Sequence, residues 1–406
     1  MLFRIWSDEP YRATRDLDPL AFGDPAAGDL CGCSLLSQYP QVSTLSHKTN
    51  SPHAQPEHES APPKRVRFLV KNMRVGPRQQ ANARRLPKWD EGFDERGYAM
   101  NQTATNKSRL QAILRGEKPD VPPHFELVFQ LAKEAFGIEF MPWDKLQSAS
   151  AAERDRDAAL QIEMCERLVD DYGWAALTGD MPALKKAVGD KALVYAFNGS
   201  GTFWLMPGNE MMDFVVRLFE KPEDLHAEAR VKCDASIELA KQQVDQGADF
   251  ICINSDYGFN SGPFISPAHF ADLVTPYLTE IVTAIHDLGV PAILHSDGNL
   301  NAILDLLVST GLDGYQSVDP QGSMDIKAVR ERYPNLILMG NVECSMLQDT
   351  NEKPIRESVR YCMAHGGIGE RYIFSSSNCI FAGMPLESYH TMLDEYRVCC
   401  REAQSL

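Results

Sequence analysis

From Asn106 onward, short apolar runs alternate with amphipathic segments. The predicted strands are 123–127, 192–197, 250–254, 292–295, 314–318, 336–340 and 372–375. The predicted helices are 153–172, 210–219, 222–246, 267–288, 300–309, 325–333, 354–364 and 386–400. Strands that alternate with helices are typical of a parallel sheet wrapped by helices. With an eighth strand in the insert around 140–190, this pattern predicts a single (β/α)8 barrel, an α/β fold, over residues 106–406.

Residues 1–105 lack this alternation and include polar, Pro-, Ser- and His-rich stretches such as 51–60. We expect this region to be a disordered or non-native N-terminal extension. Its segment 64–88 carries nine Lys and Arg residues and no acid, and we interpret it as a solvated tail rather than an RNA or lipid surface. The sequence that begins at Met100 is typical of the N-terminus of a bacterial protein, so we hypothesise that the native protein begins there.

Composition limits the classes of function that the chain can have. No apolar run reaches the length of a membrane helix, and the first residues do not form a signal peptide, so we expect a cytoplasmic protein that binds no membrane. The ten cysteines are scattered, which indicates a reducing compartment. Residues 1–99 carry 14 Lys and Arg against 12 Asp and Glu, a balance of +2, so of the formal charge of −16 the rest of the chain carries −18. Such an acidic body argues against a nucleic-acid partner.

The segment 291–299 combines a buried strand with side chains that can bind a ligand. Its apolar residues end at His295, and Asp297 and Gly298 follow. Residues two apart on a strand project to the same side, so His295 and Asp297 should point the same way. The carboxyl end of a parallel strand is where barrels and open α/β sheets keep their active sites.

Polar residues also follow the other predicted strands. They are Glu126, Asn198, Asp256, Asp319, Asn341, Glu343, Asn378 and Cys379. A single Asp or Asn in such a position commonly caps the next helix, and Asp319 and Asn341 fit that reading well. The whole set is harder to explain by capping alone, so we expect a functional site at this edge of the sheet.

Five residues at or near the predicted strand ends are of the types that bind Zn2+. They are His295, Asp297, Glu126, Glu343 and Cys379. Catalytic zinc sites use three protein ligands and keep one open position. A histidine at a strand end is more often a hydrogen-bonded core residue, so both readings of His295 stay open here.

A second set of residues is expected to bind the substrate. The aromatic side chains of Phe197 and Tyr257 lie near the strand ends, as do Phe203, Trp204, Phe259 and Phe381. They could form an apolar wall for a planar substrate, although core packing explains Phe197 equally well. Asn198 and Asn378 are the polar candidates beside that wall.

Five segments in this order carry a resemblance to a known family. They are 108–120, the loop 262–267, the strand end 294–299, Gly340-Asn341-Val342 and the terminal stretch 372–389. Together they resemble the uroporphyrinogen decarboxylase superfamily, whose fold is a single barrel, over roughly 106–402. That superfamily contains two chemistries: cofactor-free decarboxylation of the acetate arms of uroporphyrinogen, and zinc-dependent methyl transfer to or from a corrinoid protein.

The decarboxylases of the superfamily bind their polycarboxylate substrate with the arginines of a Met-Arg-Gln-Ala-Gly-Arg-Tyr motif. In the corresponding place this chain has residues 123–131, which contain Glu126 and no arginine. An anionic substrate needs basic groups at its site. The resemblance therefore favours the methyltransferase branch.

The methyltransferases carry His-x-Cys at the strand end and a further Cys near the last strand. Here His295 matches, Asp297 replaces the first Cys, and Asn378 takes the second position with Cys379 one residue later. The resemblance thus implies an oxygen-rich zinc site formed by Glu126, His295 and Asp297, with Glu343 and Cys379 as further candidate ligands. Asp256 and Asn341 are then catalytic residues that orient ligands or substrate.

The expected function is transfer of a methyl group between a small methoxylated compound and a corrinoid carried by a cobalamin-binding partner protein. A decarboxylase of a porphyrinogen or of a smaller acid is the enzymatic alternative. A barrel that binds a corrinoid or another tetrapyrrole without catalysis is the other alternative. The sequence leaves the oligomeric state open, and a homodimer is compatible with it.

Overall fold

The computed structural model describes residues 104–199, 202–206 and 208–405. The predicted extension 1–105 lies outside these residues apart from its last two positions, and the proposed start at Met100 lies outside them as well. The predicted barrel region begins where the description begins, with a helix capped by the side chain of Thr105.

In the described part of the chain, seven parallel strands form the main sheet. They are β1 (Ala176–Leu177), β2 (Leu193–Asn198), β3 (Phe250–Asn254), β6 (Ala292–His295), β7 (Gly314–Ser317), β8 (Ile337–Val342) and β9 (Tyr372–Ser376), paired in that order, while β4 (Gly258–Phe259) and β5 (Gly262–Pro263) form a small hairpin in the loop after β3. β1 lies inside the insert in which the eighth strand was expected. The predicted α/β barrel fold is confirmed.

The extended segment 123–126 closes the sheet between its two edge strands. The N–H of Phe374 in β9 donates to Pro123 O at 2.9 Å, and the N–H of Ala175, next to β1, donates to His124 O at 2.8 Å. Only His124 forms a regular bridge with β9, so the predicted strand 123–127 is present as an extended segment rather than as a full strand. Closure leaves neither edge of the sheet exposed.

Helices cover the outer face of the barrel. They are α1 (Asn106–Leu114), α2 (Ala132–Phe136), α3 (Trp143–Leu146), α4 (Ala151–Tyr172), α5 (Met181–Val188), α6 (Gly208–Glu220), α7 (Pro222–Asp245), α8 (Pro267–Leu273), α9 (Thr275–Asp287), α10 (Leu304–Ser309), α11 (Ile326–Arg332), α12 (Glu352–Cys362) and α13 (Leu386–Gln404), with a 3-10 turn at Met346–Gln348 and a π-helical turn at Met363–Gly367.

Local chemistry sets several of these boundaries. Ser150 and Glu153 form a reciprocal capping box at the start of α4. The predicted helix 267–288 is divided into α8 and α9 at Val274. Pro276 has no N–H to donate to the preceding turn, which explains why a single continuous helix does not form.

The strands of the barrel wall are buried on both faces. Ile251, Ile293, Leu294, Ile337 and Leu338 are each at most 1% exposed. Buried parallel strands of this kind hold their carboxyl ends in fixed positions, so the loops that follow them meet at one end of the barrel.

Close packing of three glycines joins the loops after β3, β6 and β7 at this end. A Cβ atom on Gly298, whose φ is +84°, would lie 2.4 Å from Gly258 O, and one on Gly322 would lie 2.2 Å from the backbone of Gly298. Only glycine permits such an approach of three backbones. The three loops therefore form one rigid unit beside His295.

The eight cysteines in the described part of the chain are all buried thiols. Burial raises the pKa of Cys165, Cys362 and Cys400 to about 12, which makes them inert packing residues at neutral pH. Among the described helices, none is both long enough and apolar enough to cross a membrane.

Candidate metal centre

Asp256, His295 and Asp297 form a cluster at the mouth of the barrel. One ligand atom from each lies within 4.8 Å of the other two. His295 Nε2 is 3.6 Å from Asp256 Oδ1 and 3.9 Å from Asp297 Oδ2. The three side chains therefore direct one nitrogen and two carboxylate oxygens toward a common point.

The register of the sheet produces this cluster. Asn254 of β3 pairs with His295 of β6, so Asp256, two residues beyond Asn254, lies beside the strand end that carries His295. Asp297 follows His295 in the loop, where its N–H donates to Asp256 Oδ1 at 3.2 Å. Two neighbouring strands and the first residues of the loops that follow them are enough to assemble all three donors.

Gln316 fixes the tautomer of His295. The two residues pair across β6 and β7, and Gln316 Oε1 hydrogen-bonds His295 Nδ1. The side-chain amide of Gln316 is turned this way because its Nε2 donates to Ser377 O at 3.3 Å. An oxygen acceptor opposite Nδ1 requires the proton on Nδ1, which leaves the lone pair of the ring on Nε2, the atom that faces the carboxylates.

Asp297 is held in place and electrostatically strained. Asn378 Nδ2 donates to Asp297 Oδ2. Burial raises the pKa of Asp297 to about 7, with the charge of His295 acting to lower it and that of Asp256 acting to raise it. A carboxylate with these surroundings is stabilised when a cation is placed beside it.

A buried aspartate supports the loop that carries Asp297. Asp319 accepts hydrogen bonds from the N–H of Gly298 at 3.2 Å and of Gln321 at 2.9 Å. The chain reaches Asp319 through Ser317 and Val318, whose positive φ angles of 109° and 48° are uncommon for residues other than glycine. Strain of this kind persists only where surrounding contacts enforce it, and it is concentrated at functional sites.

Three of the predicted metal ligands lie outside the cluster. Both oxygens of Glu126 accept the N–H of Ser376, at 3.2 and 3.0 Å, and Glu126 is fully buried. Glu343 accepts a hydrogen bond from Ser345 Oγ. Cys379 is buried, and its carbonyl oxygen is 3.6 Å from the thiol of Cys344.

Asn341, predicted to be catalytic, also lies apart from His295. Its Nδ2 donates to Val318 O at 2.9 Å, and its Oδ1 accepts from the thiol of Cys362 at 3.1 Å. With Glu343 and Tyr361 it lines a separate cavity of about 480 Å³ between β8 and α12. Asp256, the other predicted catalytic residue, belongs to the cluster itself.

The predicted substrate-binding residues are divided between the site and the core. Asn378 contacts Asp297 directly. Asn198 faces α7, where it exchanges two hydrogen bonds with Ser236. Phe197 packs edge-on against Tyr195.

The remaining aromatic candidates lie on the loops near the cluster. The Tyr257 ring packs on Phe264 and Phe270, and its hydroxyl is 3.2 Å from Thr202 Oγ1. Trp204, 38% exposed, lies on the same loop as Leu205, whose N–H donates to Asp256 O at 2.7 Å. The loop 202–206 is thus tied to the cluster, and Trp204 is its exposed aromatic side chain.

Sequence reasoning missed Gln316, Ser376 and Ser377. A signal was present, since Gln316 is a polar residue inside a short apolar strand and 375–377 are three serines at the end of another. Polar groups in buried strands need specific partners, and such partners are often part of a site.

The mouth of the barrel is acidic. Within the described residues, no Lys or Arg forms an ion pair with Asp256, Asp297, Asp319 or Glu343, and the only ion-pair partner of the first two is His295. Uncompensated carboxylates raise the affinity of the mouth for cations and lower it for anionic ligands.

A parallel barrel with a histidine and two carboxylates converging at the carboxyl ends of its strands defines a barrel enzyme with a candidate metal centre. The family model described as Uroporphyrinogen decarboxylase (URO-D) matches residues 179–398, more than half of the chain. The chain belongs to this family.

Both branches of the superfamily are represented among the relatives. The chain is 29% identical over 187 residues to the methylcobamide:CoM methyltransferase MtbA of Methanosarcina acetivorans, covering 45% of this chain and 48% of that protein. It is 24% identical over 231 residues to the uroporphyrinogen decarboxylase of Dichelobacter nodosus, covering 55% of this chain and 63% of that protein. The chain thus spans between about half and two thirds of the length of these relatives.

The fold is shared with a solved methyltransferase from Methanosarcina mazei. The TM-score is 0.58 at 18% identity, and the match covers 72% of this chain and 98% of that one. This similarity supports the barrel fold, and the choice between the two chemistries depends on the site.

Proposed function

We propose that this protein is a zinc-dependent methyltransferase that moves a methyl group between a small methoxylated compound and a corrinoid protein. The observation that carries the proposal is the orientation of His295, whose Nδ1 is held by Gln316 while Nε2 faces Asp256 and Asp297. An imidazole with its second nitrogen fixed in this way is the usual form of a zinc-binding histidine.

The donor set fits zinc in number and in spacing. Zinc bonds of about 2.0 to 2.2 Å in a tetrahedral site place ligand atoms about 3.3 to 3.6 Å apart. The separations of 3.6 and 3.9 Å from His295 Nε2 need only small side-chain movements to reach that range. Three protein donors leave the fourth position to the substrate, as in catalytic zinc sites.

The chemistry of the donors favours an oxygen-linked methyl donor. When bound, zinc would supply a Lewis acid that stabilises negative charge on the oxygen from which the methyl group leaves. Two carboxylates and an imidazole form a hard donor set, whereas thiol substrates are better matched by thiolate ligands. Asp256, His295 and Asp297 would hold the metal, and Asn378 would keep Asp297 oriented.

One exposed aromatic side chain and one relative support an aromatic methyl donor and a corrinoid partner. Trp204 lies exposed on the loop that is hydrogen-bonded to Asp256, where it can cover an aromatic methyl donor. The similarity to a protein named as a methylcobamide methyltransferase supports a corrinoid as the second reactant. We propose that the corrinoid is carried by a cobalamin-binding protein and that the reaction occurs in the cytoplasm.

Metal analysis tests the proposal. We expect about one zinc per chain in the purified protein and its loss in His295→Ala, Asp256→Ala and Asp297→Ala. His286→Ala is a matched control, because His286 also pairs with an aspartate, Asp313, but at the amino end of β6, away from the cluster. Full zinc content in all three cluster variants would contradict the proposal.

Uroporphyrinogen decarboxylation is the second candidate, because relatives named as uroporphyrinogen decarboxylases match the chain. The acidic mouth opposes it, since a polycarboxylate would meet uncompensated carboxylates there. Turnover of uroporphyrinogen by metal-free protein would favour this candidate over methyl transfer.

A further inference from the structure

Glu126 is a buried carboxyl group with no role in the proposed chemistry. It lies in the segment that closes the barrel, and its side chain is fully buried. Among the residues that the structure describes, its hydrogen-bond partners are the N–H and the hydroxyl of Ser376, the hydroxyl at 2.6 Å from Glu126 Oε2. Burying a carboxyl group costs free energy unless it is well bonded, so its location calls for a structural explanation.

Its carboxyl group replaces a backbone hydrogen bond of the barrel. The N–H of Phe374 donates to Pro123 O at 2.9 Å, and in a regular parallel ladder the next bond would join the N–H of Ser376 to the backbone of Phe125. Glu126 takes that N–H with its side chain instead. The closure of the barrel therefore ends on a side chain at the carboxyl end of β9.

The two residues after Ser376 hold the metal centre. Ser377 O accepts from Gln316 Nε2 at 3.3 Å, and Gln316 in turn holds His295 Nδ1. The next residue, Asn378, donates to Asp297. A displacement of Ser376 would thus reach two of the three proposed ligands through one or two contacts.

We propose that Glu126 is a positioning residue for the metal centre, which anchors the end of β9 and through it orients His295 and Asp297, and that it is not a metal ligand. This inference rests on the proposed function of the same site. Burial raises the pKa of Glu126 to about 8, so the group is mainly protonated at neutral pH. Glutamine, which is neutral and has the same shape, should therefore replace it well.

Two variants separate the roles of anchor and ligand. Glu126→Gln keeps an acceptor for the Ser376 N–H, whereas Glu126→Leu removes it. Metal-free proteins are compared by hydrogen exchange of peptides that cover 372–380, and binding is measured by titration with Co2+, whose visible spectrum reports coordination geometry. Glu395→Leu serves as a control for loss of a buried glutamate elsewhere, since Glu395 pairs with Arg356 and Arg360.

We expect Glu126→Leu to exchange faster in 372–380 and to bind Co2+ about tenfold more weakly, with one ion still bound per chain. Glu126→Gln should resemble the wild-type protein in both measurements, and Glu395→Leu should leave the Co2+ spectrum unchanged.

Loss of Co2+ binding in Glu126→Gln, as in His295→Ala, would identify Glu126 as a ligand. That result would overturn this inference and leave the proposed function standing. Unchanged Co2+ affinity and spectrum in Glu126→Leu would overturn it too. A wild-type protein that binds no Co2+ would overturn the proposed function together with this inference.

Discussion

Replacing Gln316 by methionine tests how the metal centre is built. Methionine has a similar size and fills the same buried space, but it can neither accept the Nδ1 proton of His295 nor donate to Ser377 O. The imidazole then loses the contact that keeps its lone pair on Nε2. We expect the folded variant to bind zinc about 10- to 100-fold more weakly, the usual effect of removing such a partner.

That factor corresponds to about 1.4 to 2.7 kcal/mol of binding free energy. The variant should also lose stability, by about 1 to 3 kcal/mol, because the carbonyl of Ser377 is left without its donor in a buried place. The two effects must be measured separately, since a partly unfolded protein would also bind less metal.

Gln243→Met is the matched control. Gln243 is as buried as Gln316, and its Nε2 likewise donates to a backbone carbonyl, Phe197 O, at 2.7 Å. It has no contact with His295. Urea unfolding should therefore show losses of similar size in both variants, while competition with a chromophoric zinc chelator should show weaker binding in Gln316→Met only.

Wild-type zinc affinity in a folded Gln316→Met protein would refute the reasoning. Equal weakening in both variants would refute it as well, because the loss would then follow from general destabilisation.

Three further predictions follow from the same structure. Asp297→Cys should keep metal binding and give Co2+ a thiolate charge-transfer band, whereas binding without that band would place residue 297 outside the coordination shell. Burial raises the pKa of Glu126 from 4.5 to about 8, so the folded protein holds a proton that the unfolded chain releases in this range. The unfolding free energy should therefore fall as the pH rises from 4.5 to 8, by up to about 1.4 kcal/mol per pH unit. Glu126→Gln should remove that part of the slope in urea titrations. Gly298→Ala should cost more stability and metal affinity than Gly289→Ala, since both glycines have φ near +84° but only Gly298 has a backbone oxygen 2.4 Å from the new Cβ; equal losses would contradict this.

The barrel could be predicted from sequence because its wall follows a simple repeat. Buried parallel strands read as apolar runs, and the helices between them show caps and early prolines. The shortest elements were predicted less exactly. The two-residue strand β1 was placed only within the insert 140–190, and the strand predicted at 123–127 makes a single bridge with β9. Such elements depend on tertiary packing rather than on local pattern.

Sequence reasoning could identify His295, Asp297 and Asp256 because ionisable side chains at the ends of buried strands are unusual. The positions of Glu126, Asn341 and Glu343 could not, since a residue near a strand end can face the mouth, the core or the outer helices, and a one-residue change of register exchanges them. Gln316 escaped because its role depends on a partner in another strand, which no local pattern records.

The most direct test of the central claim is to measure methyl transfer and its dependence on zinc. The zinc-loaded protein would be mixed with a panel of small methoxylated compounds and a reduced corrinoid protein, and methylation would be followed by the visible spectrum of the corrinoid. We predict methylation with the wild-type protein, none with His295→Ala, and loss of activity on zinc removal with recovery on its return. Methyl transfer that is unaffected by zinc removal, or uroporphyrinogen turnover at equal rates in the wild-type protein and His295→Ala, would contradict the account.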